Sequence, residues 1–213
     1  MTAHQFGPDA PESRQAFWER TFSEGLWDYL DSIEETSRYG IVAGYVHRLA
    51  KGGRVLDAGC GQGLLAAYLD LGRLRYTGFD VSPTAIRRAR EIRKDIDYFV
   101  CSLDDFSCAL ESYDMVVFNE VLSTLENSVE TLRRYYGYVR AGGYILISQF
   151  QNADPASNAR ASTIRLEATF ESQGYPVIAQ SEAKDCFTGK SWRIYCLQRP
   201  PRADSPESPE AVR

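Results

Sequence analysis

The 213 residues carry 24 Lys and Arg against 29 Asp and Glu, a formal charge of -5, and 44% of them are hydrophobic. That size and apolar share suit one domain with a sizeable core, and an acidic chain with scattered cations lacks the positive footprint of a nucleic-acid binder. No apolar run reaches the roughly 20 residues needed to span a bilayer, and the opening MTAHQFGPDAPESR lacks the charged-then-apolar layout of a signal peptide. The expectation is a soluble, cytoplasmic protein with neither nucleic acid nor membrane as partner.

Residues 1–13 are polar and read as a disordered tail. From Ser13 the positions Phe17, Trp18, Phe22, Leu26 and Leu30 recur at helical spacing, and a second helix is expected from about Thr36 to Ala50, before Gly52-Gly53. Five apolar strand-like runs follow, RVLDAG (54–59), YTGFDV (76–81), DYFVCS (97–102), YDMVVFN (113–119) and YILISQF (144–150). Helical segments separate them: LLAAYLDLG after the first, SPTAIRRAREIRK after the second, and SVETLRRYYGYVR before the Ala141-Gly142-Gly143 turn. A helix near Ala161 to Gln173 and two strands, 176–185 and 191–199, complete the pattern, the short Phe187–Lys190 turn predicting a hairpin on the sheet's edge. Residues 200–213 are proline-rich and read as a second tail.

Strands alternating with helices predict a doubly wound, mostly parallel, Rossmann-like α/β sheet of seven strands with one antiparallel edge strand. The single domain then spans 14–199: N-terminal helices over 14–50 forming a lid, a ligand-binding half over 54–150, and a substrate-side half over 151–199. The five cysteines, Cys60, Cys101, Cys108, Cys186 and Cys196, include no CxxC pair and no accompanying histidine cluster, so they read as buried thiols with no disulfide framework and no metal.

The stretch VLDAGCGQG, Val55 to Gly63, runs a strand into Asp57 and then into three glycines at alternate positions. In such a fold ligands bind beyond the carboxyl ends of the strands. Gly59 and Gly61 permit a tight turn and close backbone approach, and Asp80, about 20 residues further on, suits the hydroxyls of a ribose. A dinucleotide fingerprint would need Gly or Ala where the chain has Leu64, and its third glycine is Gly63 instead. Asp57 would attract a cationic ligand and repel a pyrophosphate. The P-loop lysine followed by Ser or Thr is missing, which argues against ATP and GTP.

In order, VLDAGCGQG, YTGFDVS, CSLDDF, YDMVVFNEVL and VRAGGYILIS resemble the motif set of class I S-adenosylmethionine-dependent methyltransferases over about residues 54–150. The resemblance implies S-adenosylmethionine as cofactor. Gly59 and Gly61 would approach its methionine moiety, in a loop shared with Cys60 and Gly63, and Asp57 its amino group. Asp80 would hold the ribose hydroxyls, with Val81 and then Ser82 beside the adenine, while Leu103 and Asp104, or its neighbour Asp105, would meet the adenine edge. Asn119 and Glu120, followed by Val121, would close the pocket around the sulfonium. Cys60 reads as space-filling, since nothing near it would lower its pKa.

Methyl transfer is an in-line displacement in which positioning and exclusion of water dominate. His4 falls in the N-terminal tail and His47 at the sheet's amino edge, so the acceptor-side candidates are Glu120, Glu126, Tyr29 and Tyr39, with Glu120 directly after the fourth strand and Tyr39 also assigned to catalysis. Arg38 would pair the cofactor carboxylate, Trp27 and Tyr29 would form a lid over the substrate, and Lys190 would meet an acidic substrate group. The segment Asn119–Leu125 resembles that of small bacterial N-methyltransferases of amino sugars and natural products, differing at Ser123-Thr124, where those enzymes carry aromatic residues. The preferred acceptor is an amine on a sugar or natural product. The alternatives are a sugar hydroxyl or phenol, or a protein that binds the cofactor without catalysis. The partners expected are a small-molecule substrate and, at most, a second copy of the chain in a homodimer.

Overall fold

A computed structural model of the chain describes residues 13–151 and 158–202; the expected tails lie, but for Ser13 and residues 200–202, outside the described residues. Two N-terminal helices, α1 (Arg14–Ser23) and α2 (Ile33–Ala50), lead into β1 (Arg54–Ala58), and the one-turn α3 (Leu64–Ala67) into β2 (Arg75–Asp80). Then come α4 (Pro83–Ile92), β3 (Asp97–Val100), β4 (Tyr113–Asn119), α5 (Ser128–Tyr138), β5 (Val139–Phe150), α6 (Asn158–Ser172), β6 (Val177–Lys184) and β7 (Ser191–Gln198).

The seven strands form one sheet in the order β3-β2-β1-β4-β5-β7-β6. Pairing is parallel from β3 through β5, then antiparallel from β5 to β7 and from β7 to β6. The hairpin sits at the edge, and within it the reversed strand is β7, one place in from β6.

Successive side chains on a strand face opposite sides, and neighbouring apolar residues divide accordingly. Val55, Met115, Val117 and Leu146 pack with α2, α3 and α4. Leu56, Val116, Phe118, Ile145 and Ile147 pack with α5 and α6. Both faces are thus covered, as buried parallel strands require.

Several boundaries differ from the sequence pattern. The helical stretch expected from Ser13 to Leu30 breaks after Ser23, where Gly25 turns at φ 73° before a 3₁₀ turn over Asp28–Asp31. LLAAYLDLG holds only α3 and a 3₁₀ turn over Leu71–Arg73. Strand β5 starts at Val139, five residues early, because Val139 pairs with Tyr113 across a bulge at Asp114, whose carboxylate accepts from Arg54 N at 2.7 Å and from Arg140 Nε at 2.5 Å. The cysteines are not uniformly buried: Cys196 is, whereas Cys186 is exposed in the hairpin turn.

A carboxylate of helix α1 ties it to the start of α4. Ser82 caps the first turn of α4, accepting from Ala85 N through Oγ. Glu19 accepts from Ser82 Oγ at 2.6 Å, Thr84 N at 3.0 Å and Thr84 Oγ1 at 2.7 Å. Burial raises the Glu19 pKa, but these donors, with Arg87, together outweigh it and hold the carboxyl below its usual range. Downstream, Arg88 Nη1 reaches Asp28 Oδ1 at 2.6 Å. Glu19→Ala should leave the sheet intact and loosen α1, weakening its docking by about 1–3 kcal/mol, the scale of hydrogen bonds to a charged group. Hydrogen exchange should show faster amide exchange across Arg14–Ser23 with β1, β4 and β5 unchanged.

Candidate active site

The strand order reverses between β1 and β4, and at that point the carboxyl ends of β1, β2 and β4 open into a cavity of about 550 Å³. Its floor is the glycine loop. Gly59 N and Cys60 N both donate to Phe79 O at 2.9 Å, and Gly61 N donates to Asp80 Oδ2 at 3.0 Å. The loop is therefore pinned to the end of β2. Gly59 turns at φ 79°, and a Cβ there would stand 2.7 Å from Val121 Cγ2.

The acidic residues at the strand ends are buried. Asp57 is 1% exposed; its Oδ2 accepts from the Tyr76 hydroxyl, and its Oδ1 is buried with no hydrogen-bond partner. Burial pushes Asp57 up to about 7 against that hydrogen bond. Asp80 accepts from Ser82 N at 2.9 Å through Oδ1 and from Gly61 N through Oδ2. Burial pushes Asp80 up to about 6, opposed by the backbone N–H groups of Ser82, Gly61 and Val81. Beyond them, Val81, Leu103 and Asp104 also line the cavity. The neighbouring Asp105 is spent on its own turn, accepting from Ser102 Oγ at 2.6 Å.

The other end of the cavity is built from α2, the end of β4 and the hairpin turn. Arg38, 1% exposed, donates from Nε and Nη2 to Glu35 Oε2 at 3.2 and 2.9 Å and from Nη1 to Asn119 Oδ1. Burial opposes its charge, but Tyr39, Glu120 and Glu35 hold it protonated. Glu120, at φ 66°, accepts from Ser148 Oγ at 2.6 Å and Phe150 N at 2.8 Å. Burial raises its pKa, with Arg38 opposing. Tyr39 stacks on Tyr68 with ring centroids 5.3 Å apart, and burial pushes its hydroxyl up to about 12, so at neutral pH it is a donor and not a base. Lys190 Nζ stands 3.6 Å from Glu35 Oε1 and 4.7 Å from the centre of the Tyr29 ring. Trp27 and Tyr29 line the same wall, joined by Trp18 and Phe22 from α1.

Three expected site residues lie outside this lining. Glu126 is exposed beyond the 3₁₀ turn Leu122–Thr124, because the chain buries Leu125 and turns the next residue outward. Ser82 is committed to α4 and Glu19. Gly63 is needed behind the loop, where a Cβ would fall 2.7 Å from Tyr98 Oη and 2.9 Å from Ala89 Cβ. His47 lies away from the cavity at the end of α2, its Nε2 accepting from Asp70 N at 2.9 Å. Among the described residues, no cluster of three or more His, Cys, Asp and Glu could hold a metal ion, and no helix is long and apolar enough to cross a membrane.

Sequence reasoning missed Glu35, Glu19 and Tyr76. The Glu35–Arg38 pair had a signal, being three apart on one helix face; Glu19 had none, since its partners are more than 60 residues away.

Residues 34–191 match a family profile described as a methyltransferase domain. The chain belongs to that methyltransferase family. A ubiquinone biosynthesis O-methyltransferase of Xanthomonas campestris is 31% identical over 115 residues, 52% of this chain and 48% of that protein. The chain thus spans about half the length of the curated relatives it matches. Among solved structures, the 1,6-didemethyltoxoflavin N1-methyltransferase of Burkholderia thailandensis, bound to 1,6-didemethyltoxoflavin and S-adenosylhomocysteine, superposes with a TM-score of 0.70 at 17% identity, covering 90% of this chain and 93% of that one. The N-methyltransferase NodS of Bradyrhizobium japonicum, bound to S-adenosylhomocysteine, gives 0.67 at 19% identity, covering 86% and 98%. Both share the fold of this methyltransferase-family chain.

Gly59→Ala should cost this methyltransferase-family chain about 1–3 kcal/mol through the clash with Val121 and the left-handed backbone. Adding Val121→Ala should recover the part due to the clash and leave the backbone part, which paired denaturation curves of the single and double variants measure.

Proposed function

We propose that the protein is an S-adenosylmethionine-dependent methyltransferase acting on an amine of a small molecule, a sugar or a natural product. The observation that carries the reading is Asp57, a buried carboxylate on the cavity wall with one oxygen lacking any partner. Such a group is costly unless a cation meets it, and the methionine ammonium of the cofactor is one. The rest of the lining fits the same molecule. Asp80, at the end of the adjacent strand, is an acceptor for a ribose hydroxyl beside its backbone N–H partners, and the glycine loop allows close approach at Gly59 and Gly61.

When bound, S-adenosylmethionine supplies an electrophilic methyl group on a sulfonium sulfur. Asp57 would hold its ammonium, Arg38 its carboxylate, and Val81, Leu103 and Asp104 would surround the adenine. Asn119, held by Arg38, would close the pocket beside the reacting atoms. The aromatic wall of Trp18, Phe22 and Trp27 would shield them from water.

Nitrogen is favoured over oxygen by the acceptor end itself. A neutral amine attacks without prior proton loss, whereas a hydroxyl needs a base. Among the described residues no histidine lines the cavity, and Tyr39 is held protonated. Glu120 is anchored by Ser148 and Phe150, so it serves as a fixed acceptor for an amine N–H and leaves the nitrogen lone pair to the methyl group. Lys190, Tyr29 and Trp27 would hold the rest of the substrate, with Lys190 on an acidic group. Two structural relatives are N-methyltransferases bound to S-adenosylhomocysteine, which agrees with this reading.

Two measurements test it. Incubation with methyl-labelled S-adenosylmethionine and a panel of aminosugars, heterocyclic amines, sugars and phenols should transfer label to amines; transfer only to hydroxyls would replace the nitrogen assignment, and no label transfer or S-adenosylhomocysteine release with any acceptor would leave a binding protein. Asp80→Ala should weaken S-adenosylhomocysteine binding by about 1.5–3 kcal/mol, and an unchanged dissociation constant would remove Asp80 from the site.

A further inference from the structure

We propose that Tyr76 is a positioning residue for the donor site: its hydroxyl holds Oδ2 of Asp57 so that the remaining oxygen, Oδ1, is presented to the ligand's ammonium group. The proposal rests on the cofactor reading above and concerns a residue that does not itself line the cavity.

Three observations carry it. Tyr76 is 6% exposed near the start of β2, and its hydroxyl donates to Asp57 from the adjacent strand. In the parallel register Asp57 is paired with Gly78, and Tyr76, Gly78 and Asp80 share one face of β2 at alternate positions. At the middle position a side chain is impossible, since a Cβ on Gly78 would lie 2.7 Å from the Tyr98 ring and 3.0 Å from Cys60 Sγ. One strand therefore carries, two residues on either side of that gap, a hydroxyl that fixes one carboxylate and a second carboxylate of its own. Finally, Asp57 has no other donor: the Tyr76 hydroxyl is its one hydrogen-bond partner among the described residues, and Oδ1 has none.

A buried carboxylate rotates about its last bond unless something holds it, and an ammonium needs the oxygen at a fixed place. Tyrosine suits the task because its proton stays on. Burial raises its pKa well above the ordinary value, and Asp57, Cys60 and Tyr98 add to the effect. The charged and titratable groups facing Asp57 are Tyr76 and Asp80 from β2, Cys60 from the loop, Tyr98 from β3, and Arg38 and Tyr39 from α2. Of these, Tyr76 and Arg38 favour the ionised form, and removing the nearer one should move the titration of Asp57 upward.

Folded Asp57 titrates near 7, above an unfolded aspartate at about 4. Its contribution to the unliganded protein is fully present below the unfolded value and is lost as pH rises through the folded one. Without the Tyr76 hydroxyl the loss on the alkaline side becomes larger.

The test is Tyr76→Phe, which keeps the ring and removes the hydroxyl, compared with Asp57→Asn and the double variant. S-adenosylhomocysteine binding by calorimetry should weaken about tenfold at pH 8 in Tyr76→Phe, as for loss of a hydrogen bond to a charged group. The pH at which binding sets in should move up, and the drop in Tm relative to wild type should be larger at pH 8 than at pH 5. In the Asp57→Asn background the same change should have little further effect on affinity. Wild-type binding with an unchanged Tyr76→Phe affinity and pH profile would overturn the proposal, as would an affinity loss and Tm drop that are independent of pH and persist with Asn at position 57. A wild-type chain that binds no S-adenosylhomocysteine would overturn the cofactor reading, and the proposal with it.

Discussion

Charge that has been taken out of water must be answered nearby, and the crevice between β1 and β4 is organised by that requirement. Asp57, Asp80, Glu35 and Glu120 all reach it, with one fully buried guanidinium, that of Arg38. Three of the carboxylates are satisfied by the protein: Asp80 by backbone N–H groups, Glu35 by Arg38, and Glu120 by Ser148 and the backbone of Phe150. Asp57 alone retains an unpaired oxygen. Isolated buried charges are costly enough to be rare, so the imbalance at Asp57 is where the proposed ligand's cation would sit.

Much of this was legible in the sequence because the fold couples position to chemistry. A doubly wound sheet puts strand ends at the ligand edge, so Asp57, Asp80 and Asn119-Glu120 could be assigned from where their strands stop. Arg38 and Tyr39 followed from the direction of the helix that feeds the first strand. What the pattern could not supply were contacts between segments far apart in the chain. Glu19 meets Ser82 and Thr84, and Lys190 meets Glu35, with no local periodicity to announce either. Glu126 failed for the opposite reason: it is near the site in sequence, but one 3₁₀ turn and the burial of Leu125 carry it to the surface.

Helix lengths were the least legible feature. LLAAYLDLG has helical composition throughout yet forms a single turn, and the end of SVETLRRYYGYVR was claimed by a strand. In the second place a tertiary contact decided the matter, the bulge at Asp114 drawing Val139 and Arg140 into β5. Propensity is a weak guide where a neighbouring strand offers its free backbone groups.

The turn of the edge hairpin has a consequence for how such a site diversifies. Lys190 and Trp192 reach the acceptor end of the cavity, while the turn's backbone is fastened mainly to itself, through Asp185 and Thr188. The glycine loop and its carboxylates belong to β1 and β2, on the far side of β4 and β5 in the sheet order. Changes of length or composition in the turn can therefore reshape the acceptor end, and reach Arg38 through Glu35, without altering the glycine loop or the carboxylates of β1 and β2. The sheet thus lets the shape of one end of the cavity vary with a surface turn while the other end stays set by the central strands.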